Sequence, residues 1–187
     1  ALMVVAPVAY KNTGYDPDRD YQAVSQISTY EFAAAVGPAV PVRELNRLMA
    51  WVRANPDKAN VGVPATGSLP HFFALMIGQA SGAPIQVVGY KGSAPLSTDV
   101  IGGHLPVAID TLDTLLPLHE GGKVRILATS GGKRAVAALP TFKEAGLNLS
   151  ATGWNVLFAR SGMPAATVDK LSREIAAVMA LPEVQKQ

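Results

Sequence analysis

The chain has 187 residues, 49% hydrophobic and 16% charged, the composition of an ordinary globular protein and too apolar for an intrinsically disordered one. Its formal net charge is +2 and its longest basic run is Lys133–Arg134, which excludes a nucleic-acid footprint. With no cysteine, disulfides, thiolate metal sites and a cysteine nucleophile are excluded as well.

Taken in chain order, Ala1 to Val5 reads as a strand, Tyr10 to Asp20 as a polar loop, and Tyr21 to Val36 as one or two extended runs. Leu45, Leu48, Met49 and Val52 recur at helical spacing, which predicts a helix over 42–54 that ends before Asn55-Pro56. Strands are expected at 60–63, 85–89, 107–110 and 124–129, with helices at 69–80, 94–101 and 112–120 between them. A short helix at 140–145, a strand at 153–159 and an amphipathic helix at 165–179 complete the reading. The apolar stretch Phe32 to Val42 is interrupted by Gly37, Pro38 and Pro41, so no segment is expected to span a membrane. The opening ALMVV has no charged leader region, and the chain reads as part of a longer protein.

Strands and helices in alternation, joined by short Gly/Pro turns, predict an α/β fold with a mainly parallel sheet. One local pattern occurs twice: an apolar strand, a Gly-Ser turn, a proline two residues on, and a helix. Ser68 and Ser93 are expected to cap these helices, with Pro70 and Pro95 in their first turns, where a missing N–H costs nothing. In open parallel sheets such helix starts lie at the carboxyl ends of strands, where ligands bind. Their unpaired amides and positive dipole ends suit a carboxylate or other small anion. Gly67 and Gly92 would admit close backbone approach, Thr66, Ser68 and Ser93 would supply hydroxyls, and Lys91 a cation. A Gly-Ser-x-Pro sequence is equally an ordinary way to start a helix, and pattern alone leaves both readings open.

Asp110, at the end of its strand, is a candidate acceptor for a ligand amine or hydroxyl, or else a helix cap. Tyr90 faces either the ligand crevice or the sheet. Phosphate-loop, dinucleotide, nucleophile-elbow and zincin motifs are all absent. Three scattered histidines, His71, His104 and His119, make no metal motif, so no metal, cofactor or catalytic residue is expected. An α/β enzyme built on Ser68, His71 and Asp110 remains the alternative. It requires the Ser68 hydroxyl within hydrogen-bond reach of the His71 ring, and a carboxylate orienting that ring.

The segments YDPDRDYQAVSQI, NVGVPATGSLPHFFA, VVGYKGSAPLSTDVIGGHLPVAIDTL, KVRILATSGGKRAVAALPTFKEAGL and GWNVLFARSGMPAATVDKL together resemble, in order and spacing, the Bug-type (TctC-like) solute receptors of tripartite tricarboxylate transporters. The resemblance implies a two-lobed periplasmic binding protein of type II, the Venus-flytrap kind, which binds a small carboxylate between its lobes, delivers it to a membrane permease and performs no chemistry. It implies one lobe at 40–154, the other at 1–39 with 155–187, hinges near 32–36 and 154–158, and a monomer lacking the N-terminal part of the first lobe. Ligand contacts would come from Thr66, Gly67, Ser68, Tyr90, Lys91, Gly92, Ser93, Ala94 and Asp110. The same fold acting in signalling to a sensor protein is a further alternative. This chain has Pro64-Ala65-Thr66-Gly67-Ser68 where the family commonly has Ala-Gly-Asn-Gly-Ser, Val88-Gly89-Tyr90-Lys91-Gly92 for Val-Pro-Tyr-Lys-Gly, and Ala6-Pro7-Val8 for a small polar turn.

Overall fold

The computed structural model describes residues 3–185. In chain order the elements are α1 (Ala6–Ala9), α2 (Pro17–Asp20), β1 (Tyr21–Val36), α3 (Leu45–Ala54), a short 3-10 turn (Pro56–Lys58), β2 (Asn60–Val63), α4 (Leu69–Ser81), β3 (Gln86–Gly89), α5 (Ser93–Ile101), β4 (Val107–Thr111), α6 (Leu112–Glu120), β5 (Arg125–Thr129), β6 (Thr152–Arg160), α7 (Ala165–Met179) and α8 (Pro182–Gln185). The chain forms two compact units, one of residues 30–153 and the other of residues 3–29 with 154–185.

Within residues 30–153 the strand order is β3-β2-β4-β1-β5. The pairs β2–β3 and β2–β4 are parallel, whereas β1 runs antiparallel to both β4 and β5. The sheet is therefore mixed, a correction to the mainly parallel expectation. Alternating strands and helices made the parallel part legible, but nothing in the composition of β1 marks its direction.

The core follows from alternation along β1. Phe32, Ala34 and Val36 pack on one face with Leu45, Leu48, Met49 and Val52 of α3 and Phe73, Ala74 and Ile77 of α4. Ala33 and Ala35 face the opposite way, toward Leu96 and Val100 of α5 and Leu112 and Leu115 of α6. Phe73 anchors the first layer, its ring 5.6 Å from that of Phe32 and 5.1 Å from that of Phe142. Each such buried ring contributes about 1.5–3 kcal/mol of transfer free energy. At the end of β1, Gly37 lies so close to the Val100 carbonyl that a side chain would overlap it, which draws α5 against the sheet.

Residues 3–29 and 154–185 are built differently. Here β6 pairs β1. Gln22 Nε2 reaches the Arg160 carbonyl at 3.1 Å, and Asn155 Nδ2 reaches the Ser28 hydroxyl at 3.0 Å. Among the described residues this unit buries no side chain fully, and Leu171 and Val178 of α7 stay largely exposed.

Two local expectations are corrected. The predicted strand 1–5 lies partly outside the described residues; Met3 to Val5 form a turn that leads into α1, because Val5 already has helical angles and Pro7 sits in the first turn. The predicted helix 140–145 is a turn instead. Phe142 donates its amide to the Thr129 carbonyl and the Pro140 carbonyl accepts from the Thr129 amide, so this segment extends the edge of β5 as a parallel bridge.

Candidate ligand-binding turns

The turn after β2 is fixed from within. Gly67 adopts φ 76°, a left-handed conformation that other residues adopt only at a cost. The Ser68 hydroxyl caps α4 by accepting the His71 amide at 3.3 Å, and the Gly67 amide donates to His71 Nδ1 at 2.8 Å. The Ser68 amide donates to the Ala65 carbonyl. Cap and turn therefore agree with the sequence reading, but two of the turn amides counted there as ligand donors already serve the protein. His71 Nδ1 accepts from the Gly67 amide and not from a carboxylic acid, and the Ser68 hydroxyl meets the His71 backbone amide, so among the described residues the hydrogen bonds that the enzyme alternative requires are not formed.

The turn after β3 is different. Gly92, at φ 111°, occupies the cap position of α5, and Ser93 is the first helical residue rather than the cap. Tyr90 and Gly92 donate their amides to the Val63 and Pro64 carbonyls at 2.9 and 2.7 Å, which lashes this turn to the one after β2. Gly89 completes the contact, since a Cβ there would lie 2.8 Å from the Thr66 nitrogen. The structure thus brings the two turns together at adjacent strand tips. The amides of Ser93 and Ala94, in the first turn of α5, have no acceptor within their own helix.

Tyr90 braces the site instead of opening it. Its ring packs on the core beside α5 and its hydroxyl donates to Asp99 Oδ2 at 2.8 Å. Burial, and then that bond, push the phenol up to about 12, so it remains a donor at physiological pH. Lys91 is exposed and, among the described residues, in no ion pair.

Asp110 is 1% exposed at the end of β4. Burial raises its carboxyl above the ordinary range, opposed by hydrogen bonds from the Ser93 hydroxyl and the Thr111 amide. The Thr111 bond occupies Oδ1 at 2.8 Å, and Oδ2 is left without a partner. Asp110 and Thr129 both pair with Ala33 across the sheet, so their side chains share a face, and Thr129 Oγ1 is also unpartnered and buried. Glu31, two residues before Ala33 on the same strand, carries a third such atom, Oε2. Sequence reasoning found Asp110 but missed Glu31 and Thr129, whose nearness depends on strand register. The only signal was a glutamate just before the apolar run FAAAV. Among the described residues no group of His, Cys, Asp and Glu is placed to hold a metal.

The two turns place donors and a buried acceptor at strand tips, and among the described residues Ser68 and His71 form no side-chain pair. The model of the tripartite tricarboxylate transporter family receptor, TctC, matches residues 1–187, and the chain belongs to this family. Its relatives include a UPF0065 protein of Bordetella bronchiseptica, 31% identical over 98% of this chain and 55% of its own length. Among solved structures, R. palustris Rpa4515 with adipate has a TM-score of 0.89 at 31% identity, covering 98% of this chain and 62% of its own. The periplasmic binding protein BugD has a TM-score of 0.88 at 26% identity, covering 99% and 63%. The chain thus spans about half the length of that Bordetella relative, and the fold is that of two-lobed periplasmic binding proteins.

Proposed function

We propose that this chain is the ligand-holding part of a periplasmic receptor for a small carboxylate, which it delivers to a membrane permease of the tripartite tricarboxylate type. The reading rests on one observation above all: the start of α5, opened by Gly92 and lashed to the turn after β2, offers the Ser93 and Ala94 amides beside the Thr66 and Ser68 hydroxyls and Lys91. A helix N-terminus with such neighbours holds an anion by donated hydrogen bonds and dipole, with no need of catalysis. In this reading Gly67 and Gly92 shape the turns, Tyr90 braces α5, and Asp110 accepts from a ligand hydroxyl or amine. The two compact units correspond to the two lobes, and one chain binds one ligand as a monomer. Similarity to a protein solved with adipate supports a carboxylate as the ligand class.

A thermal-shift series on the intact protein with mono-, di- and tricarboxylates and amino acids tests the proposal. A ligand at a hundred times its Kd stabilises by about 2.7 kcal/mol. Stabilisation by at least one carboxylate is expected, and no shift from any of them overturns the reading.

A further inference from the structure

At the opposite end of the sheet from these turns, residues 30–153 carry a second feature. The antiparallel course of β1 brings Val36 beside Val107 and Arg125, at the starts of β4 and β5, whereas the ligand turns follow the ends of β2, β3 and β4. Four steps along β4 separate the two by about 13 Å. There a cavity of about 460 Å³ opens between the segment after β1 and the α6–β5 turn, walled by Val40, Arg43, His119, Lys123, Val124 and Arg125. A neighbouring one of about 510 Å³ shares Arg43, His119 and Arg125, so the two form one groove.

Arg43, Lys123 and Arg125 are exposed and take part in no ion pair among the described residues, where the pairs are Arg19–Asp20 and Arg134–Glu144. His119 Nδ1 accepts the Ile126 amide at 3.3 Å, which leaves Nε2 as the donor of the neutral ring. The acids on the groove are Glu44 and Glu144. Glu144 is already held by Arg134 and by the Thr141 amide, each at 2.8 Å. Glu44 offsets one of the three cations, since Glu144 is committed to Arg134, and the groove keeps a net positive charge that suits negative charge from outside the chain.

We propose that this groove docks an acidic, partly apolar segment of a partner protein. A lone inorganic anion meets the cations but leaves the exposed rings of Pro38 and Pro41 on the same wall uncovered, whereas an extended segment with alternating acidic and apolar side chains covers both. Docking here leaves the ligand turns, at the far end of the sheet, uncovered. The inference does not depend on the ligand proposed above, because no residue is shared.

The test is fluorescence anisotropy of the intact protein with a labelled peptide of alternating glutamate and valine. Saturable binding that weakens with salt is expected. It should fall about tenfold, which is 1.4 kcal/mol, in an Arg43→Gln/Lys123→Gln/Arg125→Gln variant, and stay unchanged in Lys170→Gln/Arg173→Gln on α7. Circular dichroism melts of both variants confirm that they fold. Equal binding by the triple variant, equal binding of a lysine–valine peptide, or complete displacement by inorganic phosphate at low concentration overturns the proposal; the last outcome would make the groove a small-anion pocket.

Discussion

The Gly67 amide donates to His71 Nδ1 over 2.8 Å, so the turn after β2 is tied to the first turn of the helix that follows it. This bond, with the Ser68 cap, closes the turn on itself from both directions. It also commits the Gly67 amide within the protein, so in the proposed function the weight of anion binding moves toward Ser93 and Ala94. Replacing His71 by Ala removes one net hydrogen bond, worth about 1 kcal/mol. A fall in melting temperature of roughly 2–4 °C is expected for a chain of this size, with faster exchange of the Gly67 amide measured by NMR. His71→Gln, which retains an acceptor, should recover part of both.

The contact between the two turns predicts a stronger effect at Gly89. An added methyl would press on the Thr66 hydroxyl and lie 2.8 Å from the Thr66 backbone nitrogen, and backbone cannot yield as a side-chain tip does. Gly89→Ala should therefore force the turns apart and weaken carboxylate binding by at least about tenfold, or 1.4 kcal/mol. Isothermal titration calorimetry checks this.

Gly92 supplies a separate test of which groups hold the ligand. Its φ of 111° aims the Ser93 and Ala94 amides, and a β-branched residue at that angle is strained. Gly92→Val should weaken carboxylate binding far more than Ser68→Ala, whose lost cap costs only about 1 kcal/mol. The reverse order in calorimetry would shift the role from backbone to hydroxyl.

Asp110 makes stability depend on pH with a definite sign. Its folded-state carboxyl is raised, chiefly by burial, so between the ordinary value of 3.8 and its own the folded chain holds more protons than the unfolded one. Stability then falls as pH rises through that interval, and the penalty is complete above it. Asp110→Asn should raise the melting temperature at pH 7, and the gain should vanish as pH is lowered below 3.8. Thermal melts of both proteins across pH 3–8 check the crossing.

The aromatic layer carries a large share of the core. Phe142 is fully buried and stands edge-on to Phe73 at 5.1 Å. Phe142→Ala is expected to lower stability by about 3–5 kcal/mol, measured by urea unfolding.

Much of the local structure was legible because the relevant forces are local. The strand at 60–63 and the helices at 112–120 and 165–179 have the predicted bounds, set by apolar periodicity and by turn residues. The cap at Ser68 was legible for the same reason. Ser93 was misread because Gly92, with no side chain, takes the cap position through its backbone angle, which the Gly-Ser sequence does not distinguish. The helix expected at 140–145 does not form because Thr129 engages the Pro140 carbonyl that its first turn would have used and ties Phe142 to the edge of β5, a pairing decided by residues distant in sequence. The direction of β1, the joining of the two turns, the clustering of Glu31, Asp110 and Thr129, and the groove at Arg43 all depend on register and long-range pairing. A single sequence does not display these.

The run Ala33-Ala34-Ala35 puts the smallest side chains at the middle of the sheet, facing both helical layers. The thickness of that unit is thus governed by residues on the helices, while the strand has no bulk left to trim. Exchanging leucine for methionine on α3 or α6 can be absorbed by repacking. A larger residue at Ala33 or Ala35 would instead lift α5 away from the sheet, and the start of that helix would leave the neighbouring strand tip. On the function proposed above, selectivity for a solute would then drift through a position outside the proposed site.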